Sequence, residues 1–267
     1  MLLLDQSRSM ANPFGAGELK ISKAQFLADV VNRTLHDLVI RSSKSEAVRD
    51  YYSVAVFGYG VGRGGVKPVL SGPLAGQSIV RISEVAENPA RVEKRKKKVA
   101  DPEGRLTEQA VSFPVWLDAH ALNDTPMCAG LQEVHDLLAG WLLDRRRSFP
   151  PVVLHITDGG STDGDPTNLA QSVTSLGSDD GNVLLFNCHL GSDSSQKVEY
   201  PTDANALPDY RAQRLFGMSS VLPDQFIAAA SASGIPAQAG SRGFVLNADA
   251  ASLVEFFAIG TRPGNLR

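Results

Sequence analysis

Residues 150–160, PPVVLHITDGG, constrain the fold most strongly. A near-continuous apolar run ending in Asp-Gly-Gly is the pattern of a central parallel strand, because such a strand is covered on both faces. The rest of the chain supplies the cover. Residues 1–4 read as a short buried strand, and 21–42 as a helix with Leu27, Val30, Val31, Leu35, Leu38 and Val39 at helical spacing and Ser22 as its cap. Residues 51–60, β-branched and aromatic between glycines, predict a second strand, and 66–72 a short edge strand that tolerates Pro68. Order resumes at 125–148, where Met127, Leu131, Val134, Leu138, Trp141 and Leu142 share one helical face, with Pro126 as first helical residue and Thr125 as cap. A short helix at 168–178, a buried strand at 182–191, a helix at 223–234 ended by Gly234, a strand at 243–247 and a helix at 249–262 follow.

Strand–helix alternation over this length predicts an α/β fold with a doubly wound, mostly parallel central sheet and helices on both faces, Rossmann-like in class. One domain spanning 1–267 is expected. Residues 75–115, with Pro89, Pro102 and the Asp-Pro-Glu-Gly turn signal at 101–104, read as an insertion within it, a ribbon or partly mobile arm.

Composition narrows the function classes. The chain is 43% hydrophobic with a net charge of −3, so no bulk positive field favours nucleic acid or an anionic membrane. The basic stretch RVEKRKKKV at 91–99 is the local exception, read first as a solvated face. Two distant cysteines, Cys128 and Cys188, exclude a disulfide framework and a Cys-rich zinc site. Three leucines meeting Asp5 make no signal peptide, and no apolar stretch approaches the ~20 residues of a membrane span. A cytoplasmic protein is the expectation.

Chemistry concentrates at strand ends. LLLDQSRSM at 2–10 places Asp5, Ser7 and Ser9 at alternate positions, which suits either turn chemistry or hard oxygen ligands for a cation such as Mg²⁺. Asp158 follows the strand at 152–157, and Thr125 stands before the helix that precedes it. In open α/β sheets, ligands bind at the carboxyl ends of the strands, and these clusters all fall at that edge.

The set DQSRSM, NDTPM and ITDGGSTDGD resembles, in order and approximate spacing, the metal-ion-dependent adhesion site of the von Willebrand factor A (vWA) domain. The resemblance covers most of the chain except 75–115. It implies Ser7, Ser9 and Thr125 as direct Mg²⁺ ligands, with Asp5 and Asp158 acting mainly through water or from behind; Mn²⁺ would substitute. Three neutral hydroxyls leave most of the ion's charge uncompensated, so an open coordination position would attract a carboxylate, and the helix starting at Pro126 would add free N–H groups that favour the incoming anion. What is implied is a non-enzymatic module whose metal bridges to an Asp or Glu of a partner protein. The nearest subgroup in kind is the intracellular bacterial stress-response and signalling members, including tellurite-resistance-like proteins associated with kinases and phosphatases.

Several features carry a blander reading. Arg8 stands where the family commonly has a small residue; it could pair with Asp163 or Asp165, help grip an acidic ligand, or equally point to solvent, and those two acids themselves read as a tight polar turn. GYGVGRGG at 58–65 lacks the following helix that a phosphate-binding loop needs. His155 and His189 are expected to be buried and hydrogen-bonded, and His120 and His135 have no zinc spacing. Cys128, near a helix N-terminus, is expected to have a lowered pKa yet to act as a packed residue. A metal-dependent hydrolase or phosphoryl-transfer enzyme using the same site is the alternative, but no nucleophile–base pair can be placed beside it.

Overall fold

The computed structural model describes residues 1–14, 21–44, 47–60, 65–100, 106–191 and 196–261, with side chains of 97–100, 106 and 107 excepted. In chain order the principal elements are β1 (Leu2–Asp5), α1 (Lys23–Ser42), β2 (Val56–Tyr59), β3 (Val66–Pro68), α2 (Ile82–Glu87), β4 (Arg91–Ala100) and β5 (Leu106–Val115). Then come α3 (Met127–Leu143), β6 (Val152–Thr157), α4 (Thr167–Ser175), β7 (Leu184–Leu190), β8 (Val198–Glu199), α5 (Tyr210–Met218), α6 (Asp224–Ala232), β9 (Phe244–Ala248) and α7 (Ala250–Gly260).

Seven strands form one sheet in the order β8-β9-β7-β6-β1-β2-β3. The five inner strands run parallel, and the two edge strands, β8 and β3, are antiparallel to their neighbours. Leu3 lies opposite His155 on one side and Phe57 on the other, so β1 is flanked on both sides. Strand alternation sends successive side chains to opposite faces. Leu2, Leu4, Val56, Leu154 and Ile156 pack with Leu27, Val31 and Leu35 of α1 and with Leu253 and Phe256 of α7. Leu3, Phe57, Tyr59, Val153 and Leu185 pack with Leu131 and Val134 of α3, Val173 of α4 and Leu215 of α5. Both apolar layers therefore use the same strands, which is why β1 and β6 are apolar at nearly every position. Among the described residues no helix is long and apolar enough to cross a membrane.

The expected elements form with small shifts at their ends. Ser22 caps α1, its hydroxyl accepting from the Gln25 N–H at 3.1 Å. Pro68 sits on the edge strand, where a missing N–H costs no ladder bond. Sequence reading missed α2, β8 and α5, all short; α5 follows a polar stretch and is capped by Asp209, whose carboxylate accepts from Ala212 N at 2.9 Å. Residues 61–64 of the glycine loop, 101–104 of the turn signal and 192–195 lie outside the described residues.

Within 75–115, residues Val80, Ile82 and Val85 are buried in the core. Beyond them β4 and β5 pair antiparallel from Arg91↔Val115 to Ala100↔Leu106. The base of this ribbon is tied down by charge: Arg91 pairs with Glu93 and Asp118, and Arg95 with Glu93 and with Asp29 of α1. The Arg95 guanidinium also stacks 3.8 Å from the Phe113 ring centre. Part of the basic run is thus structural. Just after the ribbon, Asn32 of α1 receives the N–H groups of Trp116 and Leu117 on Oδ1 and donates through Nδ2 to Leu117 O. All three bonds are buried, and they aim the following loop, 117–126, at the carboxyl end of β1.

A polar chain crosses the otherwise apolar α3–α5 side. Asn187 Nδ2 donates to Ser219 Oγ and Leu215 O, so its Oδ1 is the acceptor facing His155 Nδ1 at 2.7 Å. That assigns the proton to Nδ1 and leaves Nε2 to accept from Tyr59 OH at 2.8 Å. Burial pushes the His155 pKa down from 6.5 to about 4, so the ring is neutral in the fold. The unfolded chain therefore binds the extra proton first, and stability present above pH 6.5 is lost as pH falls towards 4, by on the order of 3 kcal/mol. Urea unfolding across that range should show the decline, and His155→Phe, though less stable, should show a flatter slope between the same limits.

Candidate metal site

The site stands where the sheet order reverses. From β1 the chain crosses to β2 on one side, while β6 lies on the other, so the loops leaving β1 and β6 diverge and open a crevice between them. Asp5 ends β1 with no solvent exposure. Its Oδ1 accepts the Ser7 N–H at 2.8 Å, an Asx turn, and its Oδ2 accepts the Thr157 hydroxyl from the end of β6 at 2.7 Å. Burial raises the Asp5 pKa, opposed by the Ser7 and Thr157 bonds.

The turn folds Ser7 and Ser9 towards each other. Ser9 belongs to the single turn of 3₁₀ helix Arg8–Ala11, and the two hydroxyl oxygens stand 3.1 Å apart. Ser9 Oγ donates to Asp158 Oδ1 at 2.6 Å. The other oxygen of Asp158 accepts from Lys23 Nζ at 3.0 Å, and the same ammonium donates to Leu190 O at 3.1 Å. Asp5, Ser7, Ser9, Asp158 and Lys23 thus form one connected cluster drawn from β1, α1 and the ends of β6 and β7.

Thr125 makes no hydrogen bond to this cluster among the described residues; its loop lies beside it. Leu122 N donates to Gln6 O and Arg8 N donates to Asn123 O, so the 117–126 loop lies along the β1 turn. Thr162 N donates to Thr125 O at 3.0 Å, and Thr125 N donates to Thr162 Oγ1 at 3.1 Å, which joins that loop to the one after β6. Gly60 makes room for this: its φ is +84°, and a Cβ there would stand 2.6 Å from Asp124 O and 2.9 Å from Ser7 N.

Oxygen spacing is the chemical test of this cluster. Around a small cation with ligands at ~2.0–2.1 Å in octahedral geometry, neighbouring oxygens stand about 2.9 Å apart. The Ser7 and Ser9 oxygens, 3.1 Å apart and hydrogen-bonded to each other, are close enough to take adjacent positions on one ion, while the 2.6 Å bond from Ser9 to Asp158 orients the Ser9 hydroxyl. Among the described residues no three His, Cys, Asp or Glu side chains gather into a metal-holding group, so an ion here would depend on the hydroxyls.

Four sequence expectations need correction. Thr125 does not cap α3: Pro126 takes the N-cap position with no side-chain cap bond. Asp163 caps it instead from the loop after β6, accepting from Cys128 N at 3.0 Å and Ala129 N at 2.9 Å. Those two N–H groups are therefore not available to an incoming anion. Burial pushes the Asp163 pKa up, but the Ala129 and Cys128 amides and the Ser161 hydroxyl outweigh it and hold the carboxyl below the usual range. Asp163 and Asp165 are both engaged elsewhere, the second with Thr167 and Arg214, and of the alternatives open to Arg8 the solvent-facing one is found, since it is exposed. The Cys128 pKa is raised rather than lowered, first by burial and also by Asp163, because the carboxylate has replaced the bare helix end as its nearest charge. Finally, among the described residues His189 Nδ1 finds no hydrogen-bond partner, unlike the fully paired His155.

Sequence reasoning missed Lys23 and Thr157. Thr157 carried no signal beyond its place at a strand end. Lys23 carried one: it is the first residue of α1, where the helix dipole disfavours a cation, and a lysine is rarely buried unless paired.

Compared with protein-family models the chain matches none, and a search of curated proteins also returns no match.

Replacing Asp163 with Ala should cost about 1–2 kcal/mol of unfolding free energy, because it removes two bonds to the first turn of α3. Urea denaturation measures the loss, and Thr125→Ala should leave that helix end capped.

Proposed function

We propose that this chain is a vWA-like, doubly wound domain that binds Mg²⁺, or Mn²⁺ in its place, at the carboxyl edge of its sheet and uses the ion to hold a carboxylate of a partner protein. The observation that supports this reading is the pair of Ser7 and Ser9 hydroxyls 3.1 Å apart, oriented by Asp5 and Asp158 at the reversal of strand order. Ser7 and Ser9 would hold the ion directly, with Thr125 supplied by the adjoining loop. Asp5 and Asp158 would orient the hydroxyls and any water on the metal. Bound there, the ion supplies a positive charge with an open position for an anionic ligand.

Binding is favoured over hydrolysis by how the acids are used. Both oxygens of Asp5 and both of Asp158 already accept hydrogen bonds from the protein, so neither is poised to take a proton from water. The imidazole of His155 is sealed in the core. An acidic protein partner, in an intracellular stress-response or signalling setting that includes kinases or phosphatases, is the corresponding biological role. Two free cysteines accord with a reducing, cytoplasmic compartment.

Calorimetric titration of the chelator-treated protein with Mg²⁺ and Mn²⁺ tests the reading. Saturable binding that falls at least about tenfold in Ser9→Ala is expected, since one direct ligand is lost. A Mg²⁺-dependent pull-down would then be expected to enrich proteins through acidic segments. No binding at millimolar Mn²⁺ by the folded protein, with acetate present as well as without it, would sink the proposal.

A further inference from the structure

Lys23 is the feature that the metal reading leaves unexplained. Its ammonium reaches the cluster from the first turn of α1 and lies 3.0 Å from Asp158 Oδ2, in a pair whose side chains are only 10% and 1% exposed. Leu190 O accepts a second bond from it at 3.1 Å, which fixes its position independently of Asp158. The opposite oxygen of the same carboxylate meets Ser9. A cation held by Ser7 and Ser9 would therefore have a fixed positive charge one carboxylate away.

We infer that Lys23 is a built-in counter-cation that keeps the metal affinity of this site low until a carboxylate ligand arrives, so that ion and partner bind as a coupled pair. The inference rests on the metal reading above. Its logic is a charge count over groups buried together. Asp5 and Asp158 each accept a hydrogen bond at both oxygens; counted as carboxylates, they leave the cluster, together with Lys23, at a net charge of −1. A divalent ion brings that to +1, and a single carboxylate restores neutrality. Without Lys23 the cluster would hold −2, an ion alone would neutralise it, and an added carboxylate would bring an excess negative charge. Buried charges at these separations are weakly screened, so the sign of the count decides the affinity.

The same ammonium explains how the site stays assembled before any ion binds. Asp158 is almost wholly buried, and a buried carboxylate without a partner is strongly unfavourable. Lys23 satisfies it in advance, which holds its Oδ1 towards Ser9. Asp158 is therefore positioned by Lys23, while the ion's affinity is set by Lys23 in the opposite sense. These two effects can be separated.

Mn²⁺ titration by calorimetry, in chloride and in acetate buffer, separates them on wild type, Lys23→Met, Lys23→Gln and Lys23→Arg. Wild type is expected to bind Mn²⁺ more tightly in acetate than in chloride. Lys23→Met should bind about tenfold more tightly than wild type in chloride and lose the acetate enhancement. Lys23→Arg, which keeps the charge, should behave as wild type. Should Lys23→Met fail to fold by circular dichroism, Lys23→Gln removes the charge but keeps a donor for Asp158, and the acetate comparison on wild type stands alone. Weaker or unchanged Mn²⁺ binding in the neutral variants, or no acetate effect on wild type that binds Mn²⁺, would overturn the inference and leave the metal site itself intact. Binding by Lys23→Met in chloride, where wild type binds Mn²⁺ only in acetate, would support it. If neither protein binds Mn²⁺, the metal reading fails and this inference with it.

Discussion

Asp5 is a carboxylate with no access to water at the end of the strand with neighbours on both sides, and much of the structure is arranged to make that tolerable. An ionised group in such a place is costly unless each oxygen is met by a donor. One donor is the Ser7 amide two residues on, and the other the Thr157 hydroxyl from β6. The first bond forces the chain into a turn at once, which brings Ser7 and Ser9 together. The second ties that turn to the strand whose next residue is Asp158. A single buried acid thus sets both the local conformation and its registration against the neighbouring strand.

Around that anchor the protein brings in distant segments by satisfying backbone groups as well as by apolar contact. Asn32 captures Trp116 and Leu117 at the foot of the ribbon, and the loop that follows pairs with Gln6, Arg8 and Gly60. The loop after β6 is held twice, by Thr162 on the backbone of Thr125 and by Asp163 on the start of α3. Each of these is a bond between residues far apart in the chain. Together they leave the loops at the carboxyl edge little freedom, and a preorganised oxygen cluster results.

The Lys23–Asp158 pair belongs to the same economy of buried charge. Replacing it by apolar residues could be neutral for stability, because the attraction of such a pair is largely offset by desolvation. The place of Lys23 at a helix N-terminus, against the dipole, costs stability that the bonds to Asp158 and Leu190 offset. Regulation of an ion's affinity is a task that a fixed positive charge can perform and an apolar side chain cannot.

What the sequence determined by itself was the class of the fold and part of the candidate site. Apolar runs at 2–4 and 152–156 could only be covered on both faces, which dictates a mostly parallel sheet between helices, and Asp5, Ser7, Ser9 and Asp158 were legible as strand-end oxygens. These signals are local: they depend on side-chain periodicity within a few residues. Only the tertiary structure decided which groups meet. The capping of α3 by Asp163 instead of Thr125, the link from Thr157 to Asp5 and the salt bridge from Lys23 to Asp158 join residues tens to more than a hundred positions apart. Such contacts leave no periodic trace, because their energies depend on burial and on the competing partners that the finished fold places nearby.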